Sequence, residues 1–381
     1  MRFIHIADTH LGISTFNNLD VEGMNLRERL IYENFLQGVD QIIREKPDVL
    51  IHAGDLFDQV RPKTRAYTTV LEALDRLQTA DIPLVVIAGN HSMVKTRYTT
   101  SPFEVLTYHP SHITAAYSFR YEKVEIGDTI FHLIPNMLQP RHYRIAFDQI
   151  ETDPGHHHVL VTHGLAHSIR DKRLATVAEY ELDNTILSNQ FAYIALGHYH
   201  NQTQITGNAW YSGSAEYFTY GEIADTKGGL LVDLSRDDVH HITLPCTPMI
   251  DLGTISCDGV DVGEITSEII SRIEHTRLPP HAMVQVTLAG LRREHGRGPD
   301  MRELIDIQKQ LLNLKIRVWG RDEDHPVSTH QDLKTIDYLG EYSSFIDKHQ
   351  FKNRQKEFVR RCGLDVLKTV MGRHQEMADD H

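Results

Sequence analysis

Cysteine is nearly absent, with Cys246, Cys257 and Cys362 the only three in 381 residues. Thiols so few and so scattered exclude a disulfide framework and a thiolate metal site, and they fit a reducing cytoplasm. Long apolar runs are missing too; none approaches the roughly 20 residues that a membrane-spanning helix needs. The opening MRFIHIADTH turns polar almost at once, so no secretory signal is expected. Internal repeats and low-complexity segments are lacking. Positive charge is in deficit: 39 Lys and Arg against 52 Asp and Glu leave a net charge of −13. That excludes an undifferentiated basic DNA-coating protein. It leaves nucleic acid open as a substrate, because bound cations reverse a local field.

What is present is ordinary for a globular chain, 40% hydrophobic and 24% charged residues, at a length that implies two or three domains. The exception is histidine, with 25 residues; only those at informative spacings count toward chemistry. Arg2–Ile6 is a β-rich run. Leu26, Leu30, Phe35, Val39, Ile42 and Ile43 recur at helical spacing up to Pro47. Val49–His52 is a second strand, Thr64–Leu77 a second helix, and Pro83–Ala88 a third strand apolar enough to be buried on both faces. This order predicts an α/β fold with parallel strands and crossover helices. Further strands are expected at Thr129–Ile134, His158–Thr162, Tyr193–Leu196, Ala209–Ser212, Gly229–Leu234 and Val239–Leu244, the later ones hairpin-like, so the sheet is mixed. A boundary falls near Pro245–Pro248. Beyond it a small α/β domain is expected: helix Gly263–Ile273, strand Met283–Leu288, helix Met301–Leu312 and strand Lys315–Trp319. From Asp332 onward the chain reads as mainly helical, ending in a polar tail.

Polar clusters close the expected strands: Asp8-Thr9-His10, Gly54-Asp55-Leu56-Phe57-Asp58, Gly89-Asn90-His91, Thr162-His163-Gly164 and Gly197-His198-Tyr199-His200. Open α/β sheets build their sites at the carboxyl ends of strands. Residues two apart in extended backbone point the same way, so D-x-H and H-x-H can each face one metal or two adjacent ones. Glycines before Asp55, Asn90 and His198 let the backbone turn sharply and approach closely. Asp8, His10, Asp55, Asn90, His163, His198 and His200 form a reasonable ligand set. Their mixture of imidazole, carboxylate and amide oxygen suits Mn, Fe or Zn more than Mg or Ca. Two metals roughly 3.5–4 Å apart need a bridge, for which Asp55 is the natural carboxylate. Taken singly, each piece has a plainer reading: a turn cap for Asp8, turn pairs for Asp55 and Asn90, a satisfied core histidine for His163. Five such clusters in series are hard to explain by turn chemistry.

The ordered set D-x-H, G-D-x-x-D, G-N-H, a lone H and G-H-x-H resembles the calcineurin-like metallophosphoesterase superfamily. Within it, HIADTHLG, AGDLFD, AGNH and GHYH are similar to the SbcD nucleases, the bacterial and archaeal version of the meiotic-recombination-eleven type of double-strand-break repair nuclease. The likeness covers Met1 to about Leu234, where YSGSAEY and KGGLLVDL fit the family's close of the nuclease domain. It implies mixed sheets flanked by helices at 1–247, a small α/β capping domain at 248–330 and a helical partner-binding segment at 331–381. It also implies that Asp8, His10, Asp55 and His200 hold one metal and that Asp55, Asn90, His163 and His198 hold the second, both Mn. His91 would be the general acid that protonates the leaving oxygen. Ser92 departs from the family, which usually has an acidic residue there. Asp58 would orient and charge His91 and make that loss tolerable; its plainer role is to cap the following loop.

The resemblance implies an exonuclease or endonuclease acting in repair, homodimeric, that works with a coiled-coil ATPase of the SbcC type. The rivals are a small-molecule or cyclic-nucleotide phosphodiesterase on the same fold and a non-catalytic DNA-binding scaffold. A phosphoprotein phosphatase is disfavoured because Gln59-Val60, not Arg-Gly, follows Asp58. Arg61, Lys63, Arg65, Lys95 and Arg97 either hold DNA phosphates or are simply solvated, and Arg292, Arg293 and Arg297 lie in a Gly-rich loop of the second domain. Between Glu341 and Arg373, eight Lys or Arg face four Asp or Glu, interleaved with apolar residues. This is the expected docking segment for the ATPase; a helix packing on its own domain would look the same.

Overall fold

The computed structural model describes residues 1–95, 99–169, 182, 187, 190–291, 299–319, 342–343, 346–347 and 356–366. The chain forms two compact units, Met1–Arg321 and Asp322–His381. In the first, β1 (Arg2–Ile6), β2 (Val49–His52), β3 (Leu84–Ile87) and β4 (Ile113–Ala116) run parallel, and β11 (Gly229–Asp233) and β12 (Asp238–Ile242) extend the sheet antiparallel beyond β1. The order is β12-β11-β1-β2-β3-β4. A second six-stranded sheet has the order β5-β6-β7-β8-β10-β9. Its strands are β5 (Glu122–Ile126), β6 (Thr129–Ile134), β7 (His157–His163), β8 (Tyr193–Gly197), β9 (Thr203–Gln204) and β10 (Ala209–Tyr211).

Side-chain alternation along each strand explains the layering. Phe3, Val49, Ile51, Val85 and Ile87 face Phe131, Leu133, Val159, Val161 and Tyr193 across the two sheets. Phe3 sits edge-on to Phe131 and Tyr193, at centroid separations of 6.1 and 5.4 Å. The opposite residues of the first sheet, Ile4, Ile6, Leu50, Leu84 and Val86, bury against α1 (Leu26–Glu45) and α2 (Thr64–Thr79). Those of the second, Ile134, Leu160, Ile194 and Leu196, bury against α3 (Pro140–Phe147) and Phe191. Helix α1 starts where the Asn25 side chain accepts the Glu28 N–H at 3.0 Å. It stops at Lys46, which turns left-handed (φ 51) immediately before Pro47, a residue that cannot continue the helix.

A third, all-parallel sheet, β13-β14-β15, comprises β13 (Met249–Ser256), β14 (Met283–Ala289) and β15 (Asn313–Trp319). It is backed by α4 (Val262–Thr276), whose start is a reciprocal capping box of Asp261 and Glu264. The helix expected over Met301–Leu312 is only α5 (Ile305–Gln308), one turn between other turns. In the second unit residues 356–366 are helical, and the Tyr342 hydroxyl donates to the Val359 carbonyl at 2.9 Å. Among the described residues no helix is long and apolar enough to cross a membrane. Arg97, Arg292, Arg293, Arg297 and most of Glu341–Arg373 lie outside the described residues.

One buried ion pair ties α1 to the end of the sandwich. Arg27 donates to Glu216 Oε2 at 2.9 Å, to Thr247 Oγ1 at 2.6 Å and to the Tyr217 carbonyl at 2.6 Å. The two charged side chains are 1% and 4% exposed. Removing one partner strands the other charge away from water, so Arg27→Ala should lower unfolding stability by about 3–5 kcal/mol. Urea denaturation checks this; a loss under about 1 kcal/mol would show that Glu216 finds another partner.

Candidate metal centre

The carboxyl ends of β1, β2 and β3 meet those of β7 and β8. Asp8 and His10 follow β1, Asp55 and Asp58 follow β2, Asn90 and His91 follow β3, His163 ends β7, and His198 and His200 follow β8. Among the described residues three groups of side chains that could hold a metal gather there, each with its atoms within 4.8 Å of one another: Asp8 with His10 and His200, Asp55 with His163 and His198, and His10 with Asp55 and His91. Asn90 joins them, its Oδ1 lying 2.9 Å from His163 Nε2 and 2.8 Å from His198 Nδ1. All seven residues of the expected ligand set are thus brought together.

The donor chemistry fits a pair of divalent metals. His163 Nδ1 lies 2.9 Å from the Ala53 carbonyl. A carbonyl only accepts, so Nδ1 carries the hydrogen and Nε2 of the neutral ring presents a lone pair. That lone pair points at Asp55 Oδ2, 3.2 Å away, and at Asn90 Oδ1. His10 repeats the pattern: Nδ1 is 3.2 Å from Asp58 Oδ1, while its buried Nε2 has no hydrogen-bond partner among the described residues. A cation between them would satisfy these converging lone pairs, and a histidine fixed through its other nitrogen is how proteins aim imidazole at a metal.

Protons take up part of that demand in the metal-free protein. Burial opposes a charge on His163, but the Asp55 carboxylate outweighs it and raises the imidazole to about 9. His10 is likewise opposed by burial and raised by Asp58, Asp55 and Asp8. Burial works against ionised Asp55 as well, yet the His163 and His10 charges hold it well below the usual carboxylate range. His198 is driven down to about 3 by burial and then by its neighbour His163.

The backbone is bent to make this arrangement. Asp8 (φ 53), His10 (φ 46), Asp55 (φ 51) and His198 (φ 102) all lie in the left-handed region, at roughly 1–3 kcal/mol each. Hydrogen bonds between clusters sustain the strain. Asp8 N–H donates to the Gly54 carbonyl at 3.0 Å, His10 N–H to the Asp55 carbonyl at 2.9 Å, His91 N–H to Asp55 Oδ1 at 2.9 Å and His198 N–H to Asp8 Oδ2 at 2.9 Å. A Cβ at Gly54 would strike the His163 ring, and one at Gly197 the Ala53 carbonyl. Gly54 also supplies a φ of 102.

Asp58 lies between two histidines. Its carboxylate is 3.2 Å from His10 Nδ1 and 3.6 Å from His91 Nδ1, and the His91 Nδ1 hydrogen bond goes to the Asp58 backbone carbonyl at 3.0 Å. Ser92 is buried and its hydroxyl has no partner among the described residues. Arg61, Lys63, Arg65 and Lys95 are exposed, and Lys63 is engaged by buried Glu28 at 2.5 Å.

Sequence reasoning did not single out four supporting residues. Glu222 Oε1 is 3.3 Å from His200 Nδ1, and its other oxygen accepts from buried Lys227 at 2.6 Å. Burial opposes that carboxylate's charge, but His200 and Lys227 bring it down to about 2. Phe218 sets its ring against His10 and His200, at 4.8 and 5.3 Å. The Tyr143 hydroxyl donates to the His163 carbonyl at 2.6 Å. Glu222 and Tyr143 lie outside every quoted motif, whereas Lys227 opens the KGGLLVDL stretch and Phe218 directly follows YSGSAEY.

Because His163 keeps its proton up to about pH 9, a divalent ion entering at pH 7 must displace it. Affinity should therefore rise with pH between 7 and about 9, by about tenfold per unit for each proton displaced. Calorimetry in buffers of differing ionisation enthalpy measures the released protons; an affinity flat across that window would show that His163 is not engaged.

Residues 1–202 match the calcineurin-like phosphoesterase family. The DNA double-strand break repair protein Mre11 of Methanococcus maripaludis is 30% identical over 257 residues, covering 64% of this chain and 66% of that protein. Its namesake from Methanocaldococcus jannaschii is 27% identical over 294 residues, 74% of this chain and 75% of that protein. The one from Sulfurisphaera tokodaii is 29% identical over 247 residues, 62% and 60%. The chain thus spans about two thirds of the length of these relatives. With the family match running over more than half of the chain and enclosing every strand end that carries a candidate ligand, the chain belongs to the calcineurin-like phosphoesterases.

Proposed function

We propose that this phosphoesterase is a two-metal nuclease that hydrolyses DNA phosphodiester bonds in double-strand-break repair, with Mn as its metal. The observation that carries the reading is the knot of polar side chains at Asp55, Asn90, His163 and His198 beside His10 Nε2, which has no partner among the described residues. Asp8, His10, Asp55 and His200 would hold one ion and Asp55, Asn90, His163 and His198 the other. Such a pair, when bound, supplies Lewis acidity toward a phosphoryl oxygen and a nucleophile at neutral pH. The repair role is supported by the names of the relatives, which are repair proteins.

His91 is the residue we assign as general acid. Its backbone N–H is anchored on Asp55 and its Nδ1 on the Asp58 carbonyl, and the side chain is 44% exposed. Nε2 is therefore the nitrogen left to carry a proton to a departing sugar oxygen. Asp58 is a positioning residue shared by His10 and His91. The third sheet would act as the capping domain. The C-terminal segment would dock on an SbcC-type coiled-coil ATPase, and the protein would work as a cytoplasmic homodimer.

His91→Ala should keep its metal content and lose about 10²–10⁴-fold in Mn-dependent digestion of linear duplex DNA. Asp58→Asn, which retains an oxygen for His10, should slow the reaction with metal still bound; metal lost in elemental analysis would instead make Asp58 part of the metal-holding set. Truncation after Thr329 should abolish co-purification with the ATPase and spare Mn-dependent nuclease activity. Retained co-purification would defeat the docking assignment.

A further inference from the structure

The chain between β10 and β11 returns to the end of β8, where Ser214 N–H donates to the His200 carbonyl and Thr226 N–H to Asn201 Oδ1, each at 3.1 Å. It brings one ion pair to His200. Glu222 closes a single 3₁₀ turn, Tyr220–Glu222, and both of its oxygens are filled. Oε1 lies 3.3 Å from His200 Nδ1 and accepts from the Thr219 hydroxyl at 3.2 Å. Oε2 accepts from the Phe218 N–H at 3.2 Å and from Lys227 Nζ at 2.6 Å. Lys227 directs its other hydrogens to the Ser214 hydroxyl at 2.8 Å and the His200 carbonyl at 3.2 Å; Asp225 stands further off, at 3.9 Å. The Glu222 and Lys227 side chains are 8% and 2% exposed. Taking two charges out of water is costly, and a pair of apolar side chains would tie down this loop as well. The charges need another reason, and both end on His200, one on its ring and one on its carbonyl.

On these grounds we infer that Glu222, braced by Lys227, is a positioning residue for His200 and sets the affinity of only the ion that His200 holds. The inference rests on the two-metal reading and adds a difference between the two ions. A carboxylate has no hydrogen to give, so His200 Nδ1 carries the hydrogen and Nε2 keeps the lone pair. A carboxylate behind an imidazole also fixes the ring and strengthens it as a metal ligand. His10, which gathers with His200 and Asp8, is backed in the same way by Asp58 at 3.2 Å. The histidines of the other ion are not: His163 Nδ1 is held by the neutral Ala53 carbonyl at 2.9 Å, and His198 Nδ1 faces Asn90 Oδ1 at 2.8 Å. Lys227 has a definite part in this. By holding Oε2 it leaves Oε1 to the ring. A glutamine at 222 has one oxygen, and Lys227 and the Phe218 N–H both claim it. Its NH₂ then turns to His200 Nδ1, which pushes the ring hydrogen onto Nε2, where the ion belongs.

The test titrates the full-length, metal-free protein with MnCl₂ in a calorimeter. Glu222→Gln should weaken one ion about 10–100-fold, the scale of a lost ligand-orienting contact, and the other by less than about twofold. Anomalous diffraction from crystals grown in limiting MnCl₂ identifies which: the peak beside His200 should lose most of its height and the peak beside His163 should stay. Low-temperature electron paramagnetic resonance of the same variant should show the signal of an isolated Mn ion in place of that of a coupled pair. Should the Lys227 charge left behind unfold this variant, Glu222→Met combined with Lys227→Leu strands no charge and should show the same selective loss. A folded variant in which both ions keep wild-type affinity would overturn the inference. So would equal weakening of both, which is the pattern of a residue that only holds the loop. Wild-type protein that takes up no second ion would instead defeat the two-metal reading, and is measured before any variant.

Discussion

The constraint on which the site depends is a shortage of hydrogens. Asp55, Asn90 and His163 bring lone pairs within hydrogen-bond distance of one another, and the hydrogen that His163 owns is already committed to the Ala53 carbonyl. Acceptors arranged this way repel unless a proton or a metal lies among them. The raised His163 and His10 and the depressed Asp55 are one consequence. The left-handed backbone at Asp8, His10, Asp55 and His198, four of the candidate ligands, accompanies this crowding. The energy needed to hold them comes from the rest of the fold.

That energy is delivered from both sheets. The first sheet contributes Asp8, His10, Asp55 and Asn90, and the second contributes His163, His198 and His200. The inter-sheet core around Phe3, Phe131 and Tyr193 sets how far apart these two groups sit. Hydrogen bonds then cross the seam in both directions, from His198 N–H to Asp8 and between His163 and the Ala53 carbonyl. Behind His200 the chain Glu222–Lys227 fixes the ring from the far side, and Lys227 also reaches the His200 carbonyl at 3.2 Å. A metal pair bridging the sheets would add its own binding energy to this junction.

Where side chains carried their own signal, the sequence was legible. Val49–His52 and Thr129–Ile134 are rich in β-branched and other apolar residues and form strands with those bounds. The polar clusters at strand ends were readable because D-x-H and H-x-H spacings survive in any extended backbone. The misses have physical causes. Strand β13 is broken by Gly253, left-handed at φ 78, where its register with β14 shifts. Edge strand β5 spans only Glu122–Ile126 and holds two apolar residues, Val124 and Ile126, among Glu122, Lys123 and Glu125. The segment at Met301–Leu312 has helical apolar spacing, but Leu304, Leu311 and Leu312 turn inward by way of turns and a single helical turn. Glu222 and Tyr143 act through tertiary contacts that no local spacing encodes. The share of Asp58 in both His10 and His91 was half visible: the sequence pointed to His91, and the shorter carboxylate contact is with His10.

The central claim is that these side chains exist to hold two cations with Asp55 between them. Anomalous diffraction at the manganese edge from crystals grown with MnCl₂ tests it without reference to activity. The account predicts two peaks roughly 3.5–4 Å apart, flanking the Asp55 carboxylate. A single peak elsewhere, or none among Asp8, His10, Asn90, His163, His198 and His200, would contradict it.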